Sequence, residues 1–256
     1  MPISIFYVTS INQIENMLEK VNLDKVLFLD IETAPQTYKF DDLDDSKKHL
    51  FESKTRFMQN DEKSFETLYG ERASIYAEFG KIICISVGFV HTTSIGEKQI
   101  RLKSFYHDDE ETLLRQFTTL LEDRYNSPYH ILCGHNAKEF DFPYICRRML
   151  VNGLKLPTIL DIAGKKPWEI SHLDTMELWK FGDYKSYTSL PLLCNIFNIP
   201  TPKDDISGAD VARVYYEEND LERIKIYCEK DVVALIQVFL KMKGDALVDE
   251  NEVHFS

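Results

Sequence analysis

The sequence lacks several features that mark other classes of protein. None of its apolar runs approaches the ~20 residues of a transmembrane helix. Its start, MPISIFYVTS, has neither the basic region nor the long apolar segment of a signal peptide. It also has no G-x-G-x-x-G or G-x-x-x-x-G-K phosphate-binding loop, which argues against a doubly wound nucleotide- or sugar-binding protein. We therefore expect a cytoplasmic protein with no membrane partner.

Cysteine and positive charge are both scarce. The cysteines are odd in number, widely separated and without a C-x-x-C pair, which favours buried free thiols over disulfides or a zinc site. They are Cys84, Cys133, Cys146, Cys194 and Cys228. The 30 Lys and Arg residues are outnumbered by 42 Asp and Glu, giving a net charge of −12. This excess of acids disfavours non-specific binding to duplexes, where cationic contacts to phosphates dominate affinity.

The composition is otherwise that of a globular protein with a full core, at 44% hydrophobic and 28% charged residues. Strand patterns dominate the first half and helix patterns the second, without repeats or a flexible linker. We therefore predict one α/β domain over residues 1–256, with a core at about 24–242. Residues 35–79 form a partly helical, acidic excursion, whose clustered aspartates are expected to face water.

Hydrophobic periodicity and turn signals predict the order of the elements. The predicted strands are residues 4–10, 25–33, 81–90, 99–106, 129–134 and 170–175, with the third and fourth forming a hairpin. The predicted helices are residues 12–21, 64–79, 110–124 after an aspartate cap, 141–152, 176–180, 190–197, 210–217 and 221–243. The remaining residues are expected to be a frayed tail.

The segment 25–33, KVLFLDIET, places two acids directly after a buried apolar run. Side chains in a strand alternate, so Asp30 and Glu32 point to the same side and repel each other. A divalent metal would explain such a pair, because hard cations prefer oxygen ligands. The alternative is that the strand has ended and both acids face water.

Two later acids lie beside apolar helix faces. Asp141 begins a helix, where an acid also favours the helix dipole, so that explanation remains open. Asp231 falls where the helix 221–243 should present a core residue, and a buried carboxylate needs a cation or several donors. Tyr227 lies one turn earlier on the same face. It either packs in the core with its hydroxyl at the surface or holds a water beside a bound metal.

Taken together, these residues form three motifs in order. They are D-x-E at Asp30 and Glu32, N-x-x-x-F-D at Asn136, Phe140 and Asp141, and Y-x-x-x-D at Tyr227 and Asp231. The constellation resembles the tyrosine-type DEDD superfamily of 3′–5′ exonucleases. It is most similar to bacterial free-standing relatives of the family-B DNA polymerase exonuclease domain, over residues 24–242.

The resemblance implies a ribonuclease-H-like fold, with a central mixed five-stranded sheet flanked by helices. It implies two divalent metals, Mg²⁺ or Mn²⁺, held by four carboxylates with Tyr227 as a further catalytic residue. The four are Asp30, Glu32, Asp141 and Asp231. The expected activity is release of nucleoside monophosphates from the 3′ end of single-stranded nucleic acid, with DNA favoured over RNA. An exoribonuclease and a non-catalytic nucleic-acid-binding module are the alternatives; a polymerase or repair partner in trans and the oligomeric state are left open.

Substrate contacts are the least specific expectation. Thr33 and Ala34 follow the acids and are placed to meet the terminal 3′-hydroxyl. Asn136 and Phe140 are assigned to the substrate by the motif, although Asn136 could equally support the start of the Asp141 helix. Contacts to the nucleic-acid backbone or bases are expected from Arg147, Arg148, Lys165, Lys166 and Trp168, unless these are merely solvated or, for the tryptophan, core. His135 is expected to be a packed, hydrogen-bonded histidine.

Overall fold

A computed structural model describes residues 17–183, 185–200 and 206–255. The strand predicted at 4–10 and most of the helix predicted at 12–21 lie outside these residues. The end of that helix, Met17–Lys20, is a single 3-10 turn.

The described chain builds a six-stranded mixed sheet in the order β5-β4-β1-β2-β3-β6. Its strands are β1 (Val26–Pro35), β2 (Gly80–Thr92), β3 (Lys98–Tyr106), β4 (Ile131–Gly134), β5 (Leu173–Asp174) and β6 (Val253–Phe255). β2 runs antiparallel to both β1 and β3, whereas β4 is parallel to β1 and β5 is parallel to β4. The first five strands thus have the ribonuclease-H-like arrangement, which confirms the expected fold.

The sixth strand corrects the prediction of a frayed tail. Val253–Phe255 pairs in parallel with the edge of β3, where Ile100 lies opposite Val253. The segment before it is also anchored, because the Gln237 side chain donates to the Val248 carbonyl (2.7 Å) and accepts from its N–H (3.0 Å). This addition pairs part of the β3 edge, at Ile100, Arg101 and Leu102. Hydrophobic periodicity gives no signal for so short a strand.

The α-helices follow most of the predicted positions. They are α1 (Asp45–Thr55), α2 (Phe65–Arg72), α3 (Glu110–Arg124), α4 (Asp141–Val151), α5 (Thr175–Lys180), α6 (Leu190–Ile196), α7 (Val211–Arg213) and α8 (Leu221–Lys243). Two predictions differ in detail. The helix predicted at 64–79 is too long, because α2 ends at Arg72 and is followed only by a 3-10 turn, Ala73–Ile75. The one at 210–217 has nearly the right extent, but it continues after α7 as a π-helical turn, Val214–Glu218.

Helices cover both faces of the sheet. Leu27, Leu29 and Ile31 of β1 pack in one core with α3 and α4. The alternate residue Phe28 packs in a second core with α8. Gly88 of β2 permits that approach, because a Cβ there would lie 2.9 Å from side-chain atoms of α8. The alternation of β1 therefore places its even-numbered residues, including the two acids, on the α8 face.

The excursion has a small aromatic core of its own. Phe51 of α1 is fully buried, and its ring packs edge-on against Tyr69 and Phe79 with centroids 5.1 Å apart in both pairs. Asp44 caps α1 by accepting from the Lys47 N–H (2.8 Å). The four clustered aspartates are exposed, as expected: Asp41, Asp42, Asp44 and Asp45.

The five cysteines are all free, and four of them are buried, which confirms the prediction of buried thiols except for the half-buried Cys146. In the part of the chain that the structure describes, no helix combines the length and apolar character needed to cross a bilayer.

Candidate active site

The first pair of acids lies inside a strand. β1 continues from Val26 to Pro35, so the interpretation that the strand ends before the acids is wrong. Asp30 pairs with Ser86 of β2, and Glu32 pairs with Cys84. Glu32 is only 8% exposed. The two carboxylates therefore lie on the buried α8 face of the sheet.

Helix α4 brings Asp141 next to this pair. It is buried at the start of α4, and its Oδ1 accepts a hydrogen bond from the backbone N–H of Ile31 (3.2 Å). Ile31 lies between Asp30 and Glu32, so the contact fixes the Asp141 carboxylate beside both. An interaction with the helix dipole alone would not require this contact.

The turn before α4, which positions Asp141, is held by a residue that the sequence reasoning missed. Asp174 is buried, and its carboxylate accepts from the backbone N–H groups of Asn136 (2.9 Å) and Lys138 (3.1 Å). It also caps α5 by accepting from the Met176 N–H (3.0 Å). The only signal in the sequence was local: an acid before T-M-E is a helix N-cap pattern. Its role in holding a second loop could not be read from that pattern.

Within this turn, Asn136 and His135 have different surroundings. Asn136 has a φ of 63°, in the left-handed region, and its carbonyl accepts from the Phe140 N–H (3.0 Å). Its side-chain Oδ1 is buried without a hydrogen-bond partner among the described residues. His135 hydrogen-bonds Thr175 Oγ1 and the Thr188 carbonyl, both at 2.9 Å. The expected packed histidine is thus confirmed.

Helix α8 brings the third group of side chains. The Cys228 thiol donates to Asp30 Oδ2 (3.5 Å), and ligand atoms of Asp30, Glu32 and Cys228 all lie within 4.8 Å of one another. Asp231 is half-buried one turn further along, where its negative charge acts on the Tyr227 hydroxyl. The buried thiol is a neighbour of the acids that sequence reasoning did not predict.

The carboxylates interact strongly. Burial, and then the negative charges of Asp141, Glu32 and Asp231, hold the pKa of Asp30 well above its usual range. Burial and Asp231 do the same to the pKa of Glu32. Burial raises the pKa of Asp141 to about 7. Burial, followed by the charge of Asp231, also raises the pKa of Tyr227, so this phenol keeps its proton at neutral pH.

This donor set fits divalent cations. Buried acids whose charges raise one another's pKa are unfavourable as anions unless positive charge is brought among them. Clustered carboxylate oxygens are the ligands that Mg²⁺ and Mn²⁺ prefer. The group whose ligand atoms lie within mutual reach is Asp30, Glu32 and Cys228, from β1 and α8. Asp141 and Asp231 are not part of this group and stay predicted ligands.

The residues predicted to contact substrate differ in how far they are buried. Thr33 is half-buried and Ala34 fully buried, and both pair with β2. Phe140 is half-buried with its ring against Tyr144 (centroids 5.3 Å apart). The assignment of these three residues to substrate binding remains a prediction.

Arg148 requires a correction, because it lies in the core and not at a substrate surface. It is 4% exposed, and its Nε donates to Glu110 Oε1 (2.8 Å) while Nη1 donates to the Ala77 carbonyl (2.8 Å). Its donors are therefore occupied within the fold. The neighbouring Arg147 is exposed on α4 and stays a predicted contact.

The basic loop after α4 is exposed. Trp168 is 78% exposed, so it is not a core residue, and the Lys166 ammonium lies 5.2 Å from its ring centroid. Lys165 is exposed beside them. Contact of this loop with nucleic acid remains a prediction.

The fold and the gathered acids define a class of protein, an α/β domain with a buried acidic centre suited to divalent metals. Comparison with known families goes further. The model of a family described as a predicted 3′–5′ exonuclease related to the exonuclease domain of PolB matches residues 75–252, more than half of the chain. The chain belongs to this family. The match includes Asp141, Tyr227 and Asp231 but begins after Asp30 and Glu32.

A solved structure of the family B DNA polymerase from the hyperthermophilic archaeon Pyrobaculum calidifontis is also similar. The identity is 16% and the TM-score 0.48, over 84% of this chain. The chain spans only 24% of the length of that polymerase.

Proposed function

We propose that this chain is a metal-dependent 3′–5′ exonuclease acting on the 3′ end of single-stranded nucleic acid, with DNA favoured over RNA. The observation that carries the proposal is the meeting of Asp30, Glu32 and Asp141 in one buried cluster beside Asp231. The family assignment supports nuclease chemistry. The activity is assigned to a single domain, 1–256, in the cytoplasm, and whether a polymerase or repair protein uses it in trans is left open.

The four carboxylates would hold two divalent ions, Mg²⁺ or Mn²⁺. When bound, such ions neutralise charge on the phosphoryl oxygens and increase the acidity of an attacking water. The chain contributes the positions of the ligands: β1 fixes Asp30 and Glu32, and the Ile31 N–H fixes Asp141. Cys228 restrains the Asp30 carboxylate through its thiol hydrogen bond.

Tyr227 orients the attacking water and does not remove its proton. A phenol has an ordinary pKa of about 10, so it is protonated at neutral pH, and a protonated phenol can only donate this hydrogen or accept one on its oxygen. The hydroxyl lies within the electric field of Asp231, Glu32 and Asp30, at the edge of the acidic cluster. Thr33, Ala34 and the half-buried ring of Phe140 would contact the terminal nucleotide.

The unpaired Oδ1 of Asn136 is the strongest structural support for a substrate contact. A buried acceptor without a donor costs about 1–3 kcal/mol, so a hydroxyl or amino group of the nucleotide is a suitable partner. The backbone of the same residue holds the start of α4. Both roles considered from the sequence are therefore compatible.

The test is release of mononucleotides from matched DNA and RNA oligomers with free or blocked 3′ ends, in Mg²⁺ and in Mn²⁺. We expect release only from free 3′ ends, faster on DNA, and abolished by Asp231→Asn. Glu122→Gln, on the exposed face of α3, is the matched control and should keep full activity. Activity that survives Asp231→Asn would overturn the assignment. Faster hydrolysis of RNA would favour an exoribonuclease, and no hydrolysis with intact binding would favour a non-catalytic binding module.

A further inference from the structure

A second cleft lies on the sheet face opposite the acidic cluster. Its volume is about 720 Å³, and it lies between the far ends of β2 and β3 and the carboxyl end of α3. We call it the basic cleft. Its lining includes Phe89, Arg101, Lys103, Arg124, Tyr125 and Phe255.

The cleft is positive although the chain is strongly acidic. Arg101, Lys103 and Arg124 are exposed and line it, together with His130 and His254, whereas Asp24 is the single acid among its lining residues. The chain as a whole has 42 acids against 30 bases. This local excess of cations therefore reverses the sign of the overall charge.

The three permanent cations of the cleft have no carboxylate partner in the part of the chain that the structure describes. Arg101 donates to the neutral Gln99 side chain (3.2 Å), and the Lys103 ammonium lies over the Phe105 ring, 5.1 Å from its centroid. Among the described residues, none of Arg101, Lys103 and Arg124 forms an ion pair with a carboxylate. Cations in this state are free to bind an anionic ligand.

Aromatic side chains stand next to these cations. Phe89 is 37% exposed on β2, where α3 has ended and no longer covers the sheet, and Phe255 is 61% exposed on β6. Tyr125 closes the α3 side of the cleft. A groove that combines cations with aromatic faces has the chemistry that binds single-stranded nucleic acid, because cations contact phosphates and bases stack on rings.

The basic cleft is separate from the acidic cluster. Leu27 lines the cleft, and Asp30 lies three residues further along β1, about 10 Å away at ~3.3 Å for each residue. Leu27 and Val87 of the cleft belong to the core on the α3 face of the sheet, whereas the Asp30 carboxylate meets Cys228 of α8 on the opposite face. A strand with its 3′ end at the acids could reach the cleft only with nucleotides distant from that end.

We propose that the basic cleft is a second binding site for single-stranded nucleic acid, which holds the strand upstream of the 3′ end. The proposal rests on the proposed function for its choice of ligand. It makes affinity and KM depend on strand length, because a short oligomer fills only the site at the acids. No chemical step takes place in the cleft.

The test compares charge reversals in the cleft and elsewhere. Arg101→Glu/Lys103→Glu removes two cleft cations, and Lys47→Glu/Arg56→Glu is the matched control on the exposed excursion. Binding is measured by fluorescence anisotropy in an Asp30→Asn background, with oligomers of about 5 and about 25 nucleotides. We expect at least about tenfold weaker binding of the long oligomer by the cleft variant only. The slope of log affinity against log salt should fall by about 0.7 for each phosphate that the variant no longer binds.

A second variant separates charge from stacking. Phe89→Ala should weaken binding of the long oligomer at least about fivefold and leave the salt slope unchanged. Equal affinities for the cleft variant and its control would overturn the proposal, as would binding only of free nucleotide or of an acidic protein. Because the measurement is of binding, it does not depend on hydrolysis. Absence of nuclease activity in the unmodified chain would reject the proposed function, but the binding comparison would still test the cleft.

Discussion

Two buried acidic sites in this protein differ in the charges that surround them, a single carboxylate at Glu110 and the group of carboxylates around Asp30. Glu110 lies 7% exposed with the guanidinium of Arg148 against both oxygens, and it also accepts from the Ile82 N–H (2.7 Å). Asp30 and Glu32 face other carboxylates, which raise their pKa values. The first group carries its cation in the chain and stabilises the fold. The second group makes the folded protein less stable when no cation is bound, which is typical of a binding site.

The largest contrast should come from neutralising one acid of the cluster. Asp30→Asn is expected to reduce kcat/KM by about 1000-fold or more, because it removes a carboxylate that would hold the proposed ions. In EDTA the same variant should have a higher Tm, since it removes repulsion within the cluster. Mononucleotide release and thermal unfolding measure the two effects, with the exposed Asp123→Asn as control. A lower Tm in EDTA would contradict the comparison.

Removing the cation that pairs with Glu110 should lower the free energy of unfolding. Arg148→Met leaves Glu110 buried without its cation and is expected to lower the free energy of unfolding by about 3–5 kcal/mol. Arg147→Met, on the exposed side of the same helix, should change it by less than about 0.5 kcal/mol. Urea denaturation measures both. Similar effects for the two arginines would show that the buried pair does not differ from a surface charge.

Divalent ions should stabilise the unmodified protein. An ion that binds the folded chain alone, at 100 times its Kd, adds about 2.7 kcal/mol to the free energy of unfolding. We expect Mg²⁺ or Mn²⁺ to raise Tm relative to EDTA and to have little effect on Asp30→Asn. Calorimetry in matched buffers tests this. A rise of equal size in the variant would place the ions elsewhere.

Without metal, the stability of the protein should depend on pH. The pKa of Asp141 is raised from 3.8 to about 7, so the folded state binds this proton more tightly than the unfolded state. Its contribution to stability is fully present below pH 3.8 and is lost as the pH rises through about 7. The Tm in EDTA should therefore fall between pH 5 and pH 8, by less in Asp141→Asn. A Tm that rises over this interval in the unmodified protein, relative to the variant, would contradict the shift.

The sequence predicted the acids and most of the fold because those signals are local. A buried strand that contains D-x-E and an acid on an apolar helix face are both visible as short patterns, and α8 begins and ends where predicted. Arg148 could not be placed in this way, because its partner Glu110 reads as an ordinary acid in the first turn of a helix. The role of Asp174 was hidden for the same reason. Both depend on contacts between distant segments.

The short strand β6 has a consequence for how molecules meet one another. By pairing with Ile100, Arg101 and Leu102, it shortens the exposed edge of β3 onto which a second molecule could add its own strand. Two of the three residues of β6 are exposed. Loss of β6 would lengthen the open edge and with it the template for self-assembly.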